Sequence, residues 1–466
     1  MREADESIAP RVERASADGV DSYVATDAAG EIGTVGSQRT PAGGPPIPRS
    51  FGEYLKSFGP GLVVALTWIG ASDLVSSAVA GAAYGYALMW ALVAALAARF
   101  AFVNIIAKYE LCNERGETLM AGLLRIHKGV PVLILLLTLL LGHFYGSYLI
   151  RGIGEATHRI VWQLGAPWMW SMAWVAATFV IVFVGGFKTL ERISYVFLGI
   201  LSTVFIGIAA FVGPSPAGIF KGIFLFDVPP NSGGFQPLLV VVALIGAVAG
   251  SISNLLYPYF IRQKGWNGPQ YRRVQTYDLM FGVLVLIVLD LSIWVVAAEV
   301  LHPLGLQIHS FEDLPNLFVR ILGPLGATVF NAGVLAMLTT AIIGSTTGLG
   351  YLSQDIVQKL TKGPHASIAP AEVKNSRAYR LVVTWLLISP LVWSIPSMPG
   401  FVSLAIAVSA ASVIALPLLS GILWYLTANP RLIGEKYKNN AWENLTMGLL
   451  CLLAVYGAWQ SIVNLL

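Results

Sequence analysis

Apolar runs of about twenty residues recur along this chain, and they restrict it to one kind of structure. A run of that length crosses a roughly 30 Å hydrocarbon core as a helix. Backbone groups in lipid must bond within their own segment, so repeated runs of this length mean a helical bundle. β-Barrel strands are about ten residues long and alternate polar with apolar residues; these runs do neither. The composition agrees, with 56% of the 466 residues hydrophobic and 12% charged, where a soluble domain has about a quarter charged. The runs predict eleven transmembrane helices at 60–83, 86–107, 131–151, 167–185, 193–212, 238–261, 278–300, 324–350, 380–396, 401–427 and 444–465. The expected fold class is an all-α integral membrane protein, with residues 51–466 forming the membrane domain.

The basic residues orient it. The N-terminal tail and the connections at 108–130, 186–192, 262–277, 351–380 and 428–443 hold 24 of the 29 Lys and Arg. The opposite connections hold Arg151, Arg159, Lys221 and Arg320, and Arg99 lies within a helix. Short cytoplasmic loops collect Lys and Arg, so the N-terminus is expected in the cytoplasm. An odd number of spans puts the C-terminus outside, with the protein in the cell (inner) membrane. Lys264, Arg272 and Arg273 read most simply as part of this bias. The net charge of +4 is not gathered on one domain and gives no reason to expect nucleic acid as a partner.

Residues 1–50 are rich in Ala, Gly, Ser, Pro and Asp, which predicts a disordered cytoplasmic tail. It lacks the apolar core of a signal peptide. Cys112 and Cys451 are far apart and suggest neither a disulfide framework nor a thiolate metal site. No Walker A pattern and no catalytic constellation occur, so neither ATP-driven pumping by this chain alone nor enzymatic activity is expected. No cofactor is implied, and the sequence sets no oligomeric state.

Two spans are interrupted in a similar way. The first reads Gly61 to Gly81 with Gly70-Ala71-Ser72-Asp73 near its midpoint. The sixth reads Leu244 to Tyr257 with Gly250-Ser251-Ile252-Ser253-Asn254. Paired interruptions in corresponding helices of two halves point to a transporter's binding site. A small-residue packing seam would explain the Gly, Ala and Ser. It does not explain Asp73, since a carboxylate at mid-membrane costs about 3 kcal/mol on insertion scales.

Several stretches resemble the Nramp family of divalent-metal transporters. They are Gly59-Pro60-Gly61, Trp68-Ile69-Gly70-Ala71-Ser72-Asp73, Ala80-Gly81-Ala82, Gly85-Tyr86, Lys188-Thr189-Leu190-Glu191, Asn254-Leu255 and Leu416-Pro417-Leu418-Leu419. The resemblance runs over about 58–465. It implies a LeuT-type fold: two inverted five-helix repeats, with helices 1 and 6 unwound at the substrate site and the eleventh helix outside the repeat. The chain departs from the family at the metal site. The family's Asp-Pro-Gly-Asn motif falls on Gly70-Ala71-Ser72-Asp73, and its Met-Pro-His motif falls on Ser251-Ile252-Ser253. The tenth-helix glutamine position falls on Ser409, and the proton-path positions of helix 3 fall on Tyr148 and Arg151. This pattern resembles the branch of Nramp-related magnesium transporters.

The site residues expected are Asp73, Ser251, Ser253, Asn254 and Ser409, with carbonyls freed at Gly70 and Gly250. Met favours soft or borderline metals, whereas this set offers only oxygen, which suits hard dications such as Mg²⁺. The reading is a secondary transporter of divalent cations in the lipid bilayer, Mg²⁺ favoured and Mn²⁺ next, by uniport. The alternative is a LeuT-type transporter of an amino acid or organic cation. Among the other polar groups, Arg151 and Glu155 are spaced to pair along one helix. His143 reads as a satisfied or interfacial histidine. Asp290 stays open between an ion or proton relay and burial beside a polar neighbour. Arg99 can pair with a carboxylate across the bundle, which the sequence does not identify. Trp68, Trp90 and Trp294 read as packing or interface anchors.

Overall fold

The computed structural model describes residues 44–58, 71–184, 196, 203–366 and 370–465. Helices and the turns between them make up the described residues, with no strand among them. Each of the eleven predicted spans contains a helix. In chain order these are α1 (Ala71–Tyr84), α2 (Met89–Cys112), α3 (Gly129–Ile160), α4 (Pro167–Val184), α5 (Thr203–Val212) with α6 (Pro216–Phe224), and α7 (Pro237–Val248) with α8 (Tyr257–Gln263). There follow α9 (Arg272–Val296), α10 (Pro324–Lys362), α11 (Arg377–Ile388), α12 (Phe401–Ser412) with α13 (Leu416–Ala428), and α14 (Ala441–Leu465). Among the described residues, seven helical segments are long and apolar enough to cross a membrane, or eight if α5 and α6 count as one bent span.

Burial separates the centre of the bundle from its rim. The most apolar stretch of the α7–α8 span is 83% buried, and that of α14 only 28%. On α14, Leu445, Leu449, Leu452, Tyr456 and Trp459 face outward at helical spacing. In a membrane such a stripe meets acyl chains rather than water.

The sixth span breaks where its small and polar residues predicted. α7 stops at Val248, Ser251 caps a 3₁₀ turn (Ile252–Leu256) by accepting from the Ser253 N–H at 3.3 Å, and α8 restarts with Pro258 in its first turn. Proline suits that position because the first-turn N–H has no helical partner. Of the interruption expected in the first span, Ala71, Ser72 and Asp73 open α1, while Gly70 lies outside the described residues, as do Gly59, Pro60, Gly61, Trp68 and Glu191. Beyond it, α1 packs closely on α9: a Cβ at Gly81 would stand 2.7 Å from the Trp294 carbonyl oxygen.

Four boundaries differ from the sequence reading. α10 continues past 350 to Lys362, carrying an internal Asp355–Lys359 ion pair at 2.7 Å. The fifth span is followed by a 109° bend into α6, where Gly213 takes a positive φ of 79° and prolines follow at 214 and 216. Glu299 holds that bend, accepting from Tyr86 Oη at 2.8 Å and from the Ser215 N–H at 3.1 Å. The ninth span is α11 followed by a 3₁₀ stretch (Ser389–Ser394), because Pro390 lacks the N–H that would continue the α ladder. Of the tail, residues 1–43 lie outside the described residues. Within 44–50, Pro45 already accepts from Tyr271 Oη at 2.6 Å, and Ser50 caps the short helix Phe51–Ser57.

Several polar groups inside the bundle are tied down. Arg151 and Glu155 form the expected pair at 2.9 Å, and Arg151 also donates to the Trp393 carbonyl at 2.7 Å. His143 lies 2.8 Å from Ser389 Oγ and accepts from Trp393 Nε1 at 3.0 Å, as a satisfied histidine does. Trp294 donates to the Gly85 carbonyl at 2.8 Å. At the end where the basic loops gather, Arg262 meets Glu110 at 3.3 Å and Asp355 at 3.7 Å, joining α8 to α2 and α10. In the connection after α2, the Arg125 guanidinium bonds Glu117 and holds its carboxyl below the usual carboxylate range.

Candidate ion-binding site

α7, which ends at the break, packs between α1, α2 and α12, and Gly246 sets how close α12 can come. A Cβ there would stand 1.8 Å from the Ser409 carbonyl oxygen. Only glycine lets the two backbones touch in this way. Ser412 Oγ closes the contact, 2.9 Å from the Gly246 carbonyl and 2.7 Å from that of Ser409. A Cβ at Gly250 would also crowd, at 3.1 Å from Gly246.

A helix that stops in mid-membrane leaves its last carbonyls without helical donors. Here side chains supply them. Arg99, from α2, donates Nε–H to the Val248 carbonyl at 2.6 Å and Nη2–H to that of Ala247 at 2.7 Å. Asn254 donates Nδ2–H to the Val248 and Ala249 carbonyls at 3.3 and 2.9 Å. The remaining face of the guanidinium meets Asp73, with Nη1 3.8 Å from Oδ2 and both side chains fully buried. Asp73 is thus a carboxylate across the bundle with which Arg99 pairs. Asp290 is also fully buried, within electrostatic reach of both.

The expected site residues fall into two adjacent groups. Ser251 and Ser409 line a small cavity with Ser72, Tyr145, Tyr148 and Ser412. Tyr148 Oη reaches Ser72 Oγ at 3.4 Å. The cavity offers about 20 Å³ to the centre of a water-sized sphere, enough for about one water. Asp73 is not in its wall; it turns to Arg99 instead. Asn254 joins the second group through the Val248 carbonyl that it shares with Arg99. Ser253, beside Asn254, is buried, and Gly70 lies outside the described residues.

Two oxygen atoms at the break stand out. Asn254 Oδ1 and Ser253 Oγ are buried and have no hydrogen-bond partner among the described residues. The amide orientation of Asn254 follows from its two carbonyl acceptors, which need its N–H₂ side. Among the described residues no group of three or more His, Cys, Asp or Glu could hold a metal ion. The donors available are hydroxyl, amide and carbonyl oxygens around Asp73.

Arg99 is the residue that changes this picture most. A signal for it was present: a charged side chain inside an apolar run pairs with another charge or with backbone carbonyls at its own depth.

Comparison with known proteins agrees with this architecture. Residues 61–463 match the model of the family described as Nramp, natural resistance-associated macrophage protein-like. The divalent metal cation transporter MntH of Bacillus subtilis (strain 168) is 22% identical over an alignment of 323 residues that covers 64% of this chain and 71% of that protein. A crystal structure of the Eremococcus coleocola manganese transporter, in complex with an aromatic bis-isothiourea compound, aligns with a TM-score of 0.69 at 18% identity, covering 90% of this chain and 89% of that one. MhsT in complex with L-phenylalanine aligns with a TM-score of 0.57 at 15% identity, covering 87% of this chain and 98% of that one. The shared architecture is the LeuT-type fold, in an all-helical membrane protein of many spans. With a family match over most of its length, this chain belongs to the Nramp family.

Proposed function

We propose that this chain is a secondary transporter of divalent cations, with Mg²⁺ favoured and Mn²⁺ next, and that it works by uniport. Membership of the Nramp family makes it a transporter and not an enzyme. Relatives named for divalent-metal and manganese transport support the cargo class. The observation that carries the reading is the pair of buried oxygens, Asn254 Oδ1 and Ser253 Oγ, next to the broken helix. Buried acceptors left without donors are costly, by about 1–3 kcal/mol each. A cation satisfies them.

The proposed ligands are Asp73, Ser251, Ser253, Asn254 and Ser409, with backbone oxygens at Gly70 and Gly250. All are hard oxygen donors, which favours Mg²⁺ over soft metals. Mg²⁺ sheds water reluctantly and keeps several waters when bound. The small cavity beside the break holds about one. A hydrated ion therefore enters when the helices around the break move apart. The proposed orientation, from the placement of Lys and Arg, has a cytoplasmic tail over 1–50, a transporter domain over 51–466, and the C-terminus outside the cell membrane.

Uniport follows from the groups at the family's proton-path positions, here Ser253, Tyr148 and Arg151. Ser and Arg do not titrate near neutral pH, and Tyr titrates only near pH 10 in model peptides. The membrane potential suffices as a driving force, giving a dication about 4.6 kcal/mol per 100 mV from roughly 2.3 per charge.

Ligand hardness gives the test. Wild-type protein is expected to bind Mg²⁺ in calorimetry, and Ser251→Met should raise Mn²⁺ or Cd²⁺ affinity relative to Mg²⁺ by adding a thioether. An unchanged ratio would mean that Ser251 does not face the ion.

A further inference from the structure

We infer that Arg99 is a tethered cation that competes with the transported ion for Asp73, and so sets the affinity of the site. The inference rests on the reading of this site as one for divalent cations.

A helix C-terminus carries carbonyl lone pairs and a partial negative charge of about half an electron. Arg99 takes two such carbonyls, those of Ala247 and Val248, and faces the carboxylate of Asp73. Carbonyl and carboxylate oxygens are the ligands a hard dication takes. Arg99 comes from a different helix, α2, and is fully buried, so it is built into the centre of the bundle and does not reach in from an edge. Asp73, which it faces, does not line the cavity of Ser251 and Ser409.

A dication bound to Asp73 would lie within a few ångströms of this fixed positive charge. In a poorly screened interior that repulsion is large. The ion can take Asp73 only as the guanidinium gives it up. Competition of this kind weakens binding, and an ion bound too tightly cannot leave. Arg99 therefore acts as a specificity- and affinity-setting residue, beyond its role in closing the helix end.

A purely structural role for Arg99 predicts something different. Removing it would then destabilise the protein whether or not a dication is present. The test uses the full chain purified in detergent, with Arg99→Gln and Arg99→Lys compared with wild type by thermal unfolding and by Mg²⁺ calorimetry. Arg99→Gln is expected to unfold at lower temperature in chelator, to recover with Mg²⁺, and to bind Mg²⁺ at least tenfold more tightly than wild type. Arg99→Lys should fall between, because one ammonium cannot serve both carbonyls and Asp73 in the same geometry. Should Arg99→Gln fail to fold, Arg99→Lys decides: Mg²⁺ affinity above wild type supports the inference, and affinity at or below wild type overturns it. Mg²⁺ affinity in Arg99→Gln no higher than wild type, with instability that Mg²⁺ does not relieve, also overturns it.

Wild-type flux separates this inference from the transport reading. Dication flux in wild type without any gain in the variants removes the role of Arg99 alone. A gain in Mg²⁺ affinity without wild-type flux keeps Arg99 as a tethered cation and removes the transport reading. Neither binding nor flux removes both.

Discussion

Asp73→Ala is expected to abolish dication transport and to destabilise the fold at the same time. Transport is lost because the variant removes the carboxylate proposed to hold the ion. Stability is lost because Arg99, fully buried and 3.8 Å from that carboxylate, keeps its charge without its partner. Breaking a buried ion pair from one side costs about 3–5 kcal/mol. Asp290, which also faces Arg99 electrostatically, offsets part of this. The double variant Asp73→Ala/Arg99→Gln should regain most of the lost stability and none of the flux. Thermal unfolding gives the first half of this result, and flux in proteoliposomes with matched protein amounts gives the second. Near-normal flux in Asp73→Ala would remove the central residue of the proposed site. An unchanged unfolding temperature would mean that the pair contributes nothing to the fold.

The second large effect is expected at Gly246. Its added Cβ would sit 1.8 Å from the Ser409 carbonyl oxygen and 2.8 Å from the Ser409 carbonyl carbon, so the obstacle is backbone rather than a side chain that could swing aside. Gly246→Val must push α7 away from α12 and break the Ser412 contact that ties them. Overpacking a well-packed core costs about 1–3 kcal/mol and occasionally more; with backbone in the way, the upper end or beyond is expected. Flux should be lost, since the same shift moves Ser251 and Ser409 apart. Gly421 provides the control: a Cβ there meets nothing within 4 Å. Gly421→Ala should leave folding and flux intact, with a small gain from helix propensity of up to about 1 kcal/mol. Wild-type behaviour of Gly246→Val would contradict the close contact between these helices.

Much of the architecture was legible because lipid imposes a simple rule on sequence. Each run of about twenty apolar residues had to be a helix, and each of the predicted spans holds one. The break in the sixth span was legible from Gly250, Ser251 and Asn254, whose short side chains favour caps and turns over helix interiors. The Arg151–Glu155 pair was legible because its four-residue spacing is local. The contacts that run across the bundle were not. Arg99 lies 26 positions from Asp73 and is bonded to carbonyls about 150 positions away. Nothing in local pattern selects Asp73 over Asp290 as its partner. The site therefore looked, in sequence, like a carboxylate waiting for a cation, whereas the structure has an internal cation already facing it. The bend into α6 was missed because Gly213 and its neighbouring prolines read as an ordinary loop, and the length of α10 was missed because its last turns are polar. Of the interruption expected in the first span, Gly70 lies outside the described residues.

Uncoupled transport of a hard dication is tested most directly by flux. Proteoliposomes holding the full chain, a pH-sensitive dye and a dication indicator are given Mg²⁺, Mn²⁺ or an organic cation under a fixed potential. The predicted result is uptake of Mg²⁺ ahead of Mn²⁺, driven by the potential, with no stoichiometric acidification and no competition from the organic cation. Dication flux accompanied by stoichiometric acidification that disappears in Asp290→Asn would contradict uniport, and uptake of the organic cation with no Mg²⁺ or Mn²⁺ flux would contradict the account as a whole.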